Sequence, residues 1–171
     1  TRAVEYVTAS FGQGIAMTPI ATVRALSALA NDGRLVTPHL GSEIVYRSSI
    51  SKKVSFPEGG QVVKPESAEE VTRMLVKVVD EALLGGTVKL PHYSIAAKTG
   101  TAQIAKAGER GYYDDRFLHS FFGYFPAYDP EFLIFLYALE PKARYASETL
   151  THPFMDMVKF LINYYEIPPD R

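Results

Sequence analysis

A lysine, two threonines and a glycine crowd into four positions of this chain, Lys98-Thr99-Gly100-Thr101. They lie inside the stretch Y-S-I-A-A-K-T-G-T-A-Q-I at residues 93–104. The small and β-branched residues around them predict a strand. Alternation sends Ile95, Ala97, Thr99 and Thr101 to one side and Ala96, Lys98 and Gly100 to the other. The two hydroxyls therefore share a face, and a cation emerges beside them. Gly100 carries no Cβ, so a ligand or another backbone can come close. A cation, paired hydroxyls and bare main chain suit an anionic, peptide-like ligand laid along a strand edge. The plain alternative is a solvated strand end with an ordinary lysine.

Other residues of reactive type are weaker candidates. Ser49-Ile50-Ser51-Lys52 has the S-x-x-K spacing of an acylated serine and its base. That chemistry needs a helical turn, which brings serine and lysine onto one face so that the amine can take the hydroxyl proton. The surroundings instead alternate like a hairpin, with Glu43-Ile44-Val45-Tyr46 and Lys53-Val54-Ser55-Phe56 as strands and Glu58-Gly59-Gly60-Gln61 as a turn. Residues three apart on a strand face opposite ways, so Ser49 and Lys52 read as solvated hairpin residues. Asp114 and Asp115 lack companions at a metal-binding spacing, and Arg110 and Arg116 lie near enough to pair with them. His39, His92, His119 and His152 are scattered without ligand spacing. His119 precedes a strand that would neighbour Lys98, where a structural hydrogen bond fits it better than general-base work.

The elements that position these residues are legible as periodicity. Thr18 predicts an N-cap and Pro19 a first helical position. Ile20, Val23, Leu26 and Ala30 follow at helical spacing, and Asn31-Asp32-Gly33 stops them. Ser67 and Glu70 form a capping box. The stripe Val71, Met74, Leu75, Val78, Val79 and Ala82 then runs to Gly85-Gly86, which turns the chain towards Lys98. Residues 106–116 read as a polar loop. Residues 120–125 and 132–139 predict an antiparallel hairpin broken by Pro126-Ala127-Tyr128-Asp129-Pro130. Thr151-His152-Pro153 opens a last helix with Phe154, Met157, Val158, Leu161, Ile162 and Tyr165 on its stripe, and Ile167-Pro168-Pro169 ends it. Three strands and three helices around one continuous core make a mixed α+β fold, an antiparallel sheet with packed helices.

Composition bounds the function. With 171 residues, 47% hydrophobic and 22% charged, the chain is one globular domain. A net charge of -1 argues against nucleic acid as a partner. The absence of cysteine removes disulfides, thiol nucleophiles and zinc–thiolate sites. No run reaches the length of a membrane span, and no secretory signal opens the chain. A start at Thr1 suggests a piece of something longer, so the lack of targeting signals decides little.

The tetrad at 98–101 resembles the K-T-G signature of penicillin-recognising serine acyltransferases. S-F-G-Q-G-I-A-M-T-P at 10–19, the glycine-rich turn before Lys98, G-Y-Y-D-D-R at 111–116, H-S-F-F-G-Y-F-P-A at 119–127 and Y-E-I-P-P-D at 165–170 extend the likeness over nearly the whole chain. The chain is similar to the C-terminal half of the transpeptidase domain of class B penicillin-binding proteins, of the division or elongation type. That resemblance implies a D,D-transpeptidase acting on peptidoglycan stem peptides ending in D-Ala-D-Ala, acylated by β-lactams, with no cofactor and no metal. It implies a parent held by an absent anchor on the outer face of the bacterial cytoplasmic membrane, among divisome or elongasome membrane proteins.

On this likeness Lys98 would stay protonated and polarise a proton relay, Thr99 and Thr101 would bind the terminal carboxylate, and Gly100 would admit the peptide as an added strand. The Thr101 N–H would be an oxyanion donor, of a kind whose loss costs about 3 kcal/mol. No helical S-x-x-K and no S-x-N occurs, so the nucleophile is expected outside this chain. The 171 residues would then be one C-terminal portion of the domain lacking its N-terminal half, inactive alone and prone to self-association through an exposed sheet edge. Rival readings are a D,D-carboxypeptidase or β-lactamase using the same strand, or a non-catalytic β-lactam sensor or scaffold that binds peptidoglycan or division partners.

Overall fold

The computed structural model describes residues 3–10, 12–48, 50–57 and 59–171. Phe11 of S-F-G-Q-G, Ser49 of the S-x-x-K string and Glu58 of the expected turn lie outside them. An antiparallel sheet ordered β3-β4-β5 organises the rest, from Ala96–Ala105, Tyr112–Phe125 and Phe132–Leu139. The K-T-G strand is thus an edge strand, and β5 forms the other edge. β4 is longer than expected: residues 112–116, read as loop, are strand. After a bulge between Gln103 and Ala105 the ladder resumes with Ala105 opposite Tyr112. Adjacent tyrosines suit a strand, and only residues 106–111 remain to turn. The local pairing expected between Arg116 and the adjacent acids gives way to Glu140, because Arg116 bonds that carboxylate across the sheet while stacking 4.4 Å over Tyr113.

Cross-strand register defines two faces. On one, Ala97, Thr99 and Thr101 lie opposite Gly123, Phe121 and His119, which in turn lie opposite Ile134, Leu136 and Ala138. Helix α4, Ala146–Tyr164, covers this face with Leu150, Phe154, Met155, Val158 and Ile162. The approach is closest at Gly123, where an added Cβ would lie 2.5 Å from Phe154 Cζ and 2.7 Å from the Ala97 Cβ. On the other face Ala96 and Tyr124 pack with Leu75 and Val76 of α3, Pro65–Lys77. The core is therefore two clusters divided by the sheet, not the single one expected, because both faces are covered.

Helix α2, Pro19–Ser27, starts as its sequence predicts: the Thr18 side chain accepts from the Ala21 N–H, with Pro19 first in the helix. α3 starts two residues before its expected serine, at Pro65, with Lys64 in the cap position and Ser67 inside the first turn. Proline's fixed φ at the first position prevails over the capping box. The chain leaves α3 through a wide π-type turn, Val78–Ala82, and then Leu83–Gly86. Gly86 has φ +77° and its would-be Cβ lies 2.6 Å from the Asp80 carbonyl, so glycine is required there. α4 begins five residues before its expected opening and carries Pro153 in its interior. Met74 of α3, Met157 of α4 and Tyr165 just past the end of α4 belong to the exposed side, not to the stripes. A further short helix, α1, spans Ala3–Ala9.

The expected hairpin is present as a separate ribbon, β1 Glu43–Val45 against β2 Ser51–Lys53. Its second strand lies earlier than residues 53–56, because the Tyr46 N–H closes a tight turn on the Ile50 carbonyl at 2.9 Å. At the other end of the chain, a short tail ties down the entrance to β3. Ser94 donates its N–H to Asp170 Oδ1 at 2.7 Å and its hydroxyl to Oδ2. Arg171 forks onto Asp80 and donates to the Leu90 carbonyl at 2.8 Å.

Candidate active site at the β3 edge

Strand pairing presents the tetrad to solvent. The Ala96 carbonyl leans towards β4, lying 2.8 Å from the Cβ position of Gly123. Alternation along an antiparallel strand then turns the main-chain N–H and C=O of Thr99 and Thr101 away from β4, onto the outer edge. Lys98 is exposed and its ammonium donates to the Thr99 carbonyl at 2.8 Å, wrapping around that edge. Thr99 is half-buried opposite Phe121. Thr101 is exposed, and its hydroxyl accepts from the Ala146 N–H, the first of α4, at 3.0 Å. Lysine and threonines therefore leave the strand on opposite faces of one edge. Neither hydroxyl is sealed in the core.

The space over Gly100 is less bare than the sequence suggests. A Cβ there would meet the Ser120 hydroxyl at 2.5 Å and nothing else closer than ordinary contact. Ser120, directly across from Gly100, and Ala146 are site neighbours that the sequence did not reveal. Register with β4 would have exposed the first, and nothing local to the tetrad signals the second. On the Lys98 face an open groove of about 460 Å³ runs between α2 and the sheet, lined by Ile15, Met17, Leu26, Ala102, Phe122 and Phe135. The S-F-G-Q-G and G-Y-Y-D-D-R motifs approach each other: a Cβ on Gly14 would lie 3.7 Å from the Tyr112 hydroxyl. Lys52 of the S-x-x-K string stands opposite Ile44 on the exposed ribbon, apart from this edge.

An edge strand offering a cation, outward-facing main-chain groups and hydroxyls has the features with which a protein can add an extended peptide as a further strand. The chain belongs to the penicillin binding protein transpeptidase domain family, whose model matches residues 1–158. It is 36% identical over 141 residues to stage V sporulation protein D of Bacillus subtilis, covering 81% of this chain and 21% of that protein. It is 28% identical over 172 residues to the probable peptidoglycan D,D-transpeptidase PenA of Neisseria meningitidis, covering 99% of this chain and 28% of the relative. The fold is similar to penicillin binding protein 3 from Mycobacterium tuberculosis in complex with aztreonam, with a TM-score of 0.82 and 27% identity over 97% of this chain and 39% of that one. The chain thus spans between a fifth and two fifths of the length of these proteins.

Proposed function

We propose that these residues are the C-terminal portion of a peptidoglycan D,D-transpeptidase domain and that the β3 edge holds its acyl donor. The observation that carries this reading is the open edge of β3, which puts the Lys98 ammonium, the Thr101 N–H and the Thr101 hydroxyl within reach of one extended ligand. A stem peptide ending in D-Ala-D-Ala would lie along the edge, its terminal carboxylate against Thr99 and Thr101 and near Lys98. A serine supplied from outside these residues would attack the penultimate carbonyl, the terminal D-Ala leaving with the transferred proton. The acyl group then passes to an acceptor amine, which forms the cross-link. The Thr101 N–H would donate to the developing oxyanion. β-Lactams would acylate the same serine, in line with the aztreonam complex of the relative from Mycobacterium tuberculosis.

The parent would work on the outer face of the cytoplasmic membrane, alongside division or elongation proteins. Among the described residues no helix is long and apolar enough to cross a membrane, so the anchor would lie elsewhere in the parent.

The test is labelling by a fluorescent penicillin. The full-length parent should take covalent label, Lys98→Ala in the parent should take it at least about a hundredfold more slowly, and the 171 residues alone should take none. Label on the short chain would return attention to Ser49. A parent that never labels would leave the non-catalytic scaffold.

A further inference from the structure

His119 is completely buried in β4, directly opposite Thr101 and on the same face of the sheet. Its Nε2 lies 3.1 Å from the Arg144 carbonyl, and its Nδ1 lies 3.0 Å from the Thr149 hydroxyl. A carbonyl oxygen only accepts, so Nε2 carries a proton and donates it to Arg144, while Nδ1 shares a hydrogen bond with the Thr149 hydroxyl. These two partners bracket Ala146, one just before α4 and one in its first turn. The ring therefore pins the start of α4 from both sides. Between the pins, the Ala146 N–H points at the Thr101 hydroxyl oxygen.

That contact fixes more than position. A hydroxyl oxygen that accepts from an N–H turns its own proton elsewhere, and Thr101 is exposed. Its proton is thereby left available for donation to a ligand at the open edge of β3. An acceptor-only group such as a carboxylate is favoured there, whereas a neutral ester gains less from a pre-aimed donor. We infer that His119 is a positioning residue: through Arg144, Thr149 and Ala146 it holds the Thr101 hydroxyl as a donor and so sets the preference for an acyl donor with a free carboxylate. This rests on the transpeptidase reading above and extends it to a buried residue that touches no substrate.

The test compares acylation of the full-length parent by benzylpenicillin and by its methyl ester, which differ only in that carboxylate. The readout is the ratio of the two second-order rates. In His119→Phe, which keeps a ring but no hydrogen bonds, the free-acid to ester ratio should fall about tenfold, the size of one charge-assisted hydrogen bond. In Thr101→Val it should fall at least as far. His119→Gln, which can still donate to the Arg144 carbonyl, should recover much of the ratio. If His119→Phe does not fold, Thr149→Val should lower the ratio about threefold for loss of one neutral hydrogen bond. A role confined to stability would slow both probes alike and leave the ratio unchanged, which overturns the inference while the transpeptidase reading stands. A wild-type parent labelled by neither penicillin overturns that reading and this inference with it.

Discussion

Buried hydroxyls at single positions carry opposite signs in stability. Thr72 donates to the Ala68 carbonyl at 2.9 Å, so its oxygen must accept from the Tyr124 hydroxyl, 2.6 Å away. Burial pushes the Tyr124 phenol above its ordinary value, which keeps it the protonated donor. Thr72→Val strands that phenol, whereas Tyr124→Phe leaves Thr72 still bonded to Ala68. Denaturant unfolding should show a loss of about 1–3 kcal/mol for the first and clearly less for the second. Thr151 is the reverse case: its hydroxyl is buried in α4 and, among the described residues, finds no hydrogen-bond partner. Thr151→Val should therefore raise stability by about 1 kcal/mol. An unchanged or lowered midpoint would mean that the hydroxyl is satisfied after all. At Gly123 the close approach of Phe154 and Ala97 leaves no room, and Gly123→Ala should cost about 1–3 kcal/mol through overpacking.

Among elements, the C-terminal tail is the one whose loss should be felt at the site, because Asp170 and Arg171 tie the entrance of β3 to the π-type turn that follows α3. The Arg171 hydrogen bonds hold the Asp80 carboxyl below its ordinary value, against burial, which raises it, with Lys89 helping from 3.5 Å. A folded value below the unfolded one, near pH ~4, stabilises fully above that pH. The contribution is lost as pH falls through the folded value. Asp80→Asn should lower stability at pH 7 by about 1–2 kcal/mol and flatten the acid limb of the stability profile. An acid limb as steep as the parent's would remove this pair from the account.

At the scale of the whole molecule, neither edge of the main sheet pairs with a further strand among the described residues. β3 is the proposed ligand edge. β5 presents unpaired main chain and the exposed side chains of Tyr137 and Leu139, and an open apolar edge invites pairing with another chain. The isolated chain should therefore self-associate, and Tyr137→Lys with Leu139→Lys should reduce this. Sedimentation velocity across a concentration series checks it, and a clean wild-type monomer at the highest concentration would count against the β5 edge as a sticky surface.

Local chemistry made much of this legible in the chain itself. Thr18-Pro19 starts α2, Gly85-Gly86 ends the turn after α3, and alternation separates Lys98 from Thr99 and Thr101, because caps, left-handed turns and strand periodicity act over a few residues. The start of α4 escapes the local pattern because Tyr145, at its cap position, gives no side-chain hydrogen bond, and the first N–H is satisfied instead by Thr101, 45 residues away on β3. The loop at 112–116 became strand because β3 lay beside it to complete the ladder. Met74 and Met157 read as core since periodicity marks a stripe without saying what faces it. What residues do to their near neighbours was written in the sequence. Which surfaces meet, which edge stays open and which hydroxyl is aimed by a buried histidine were decided by tertiary packing, since those depend on partners far away along the chain.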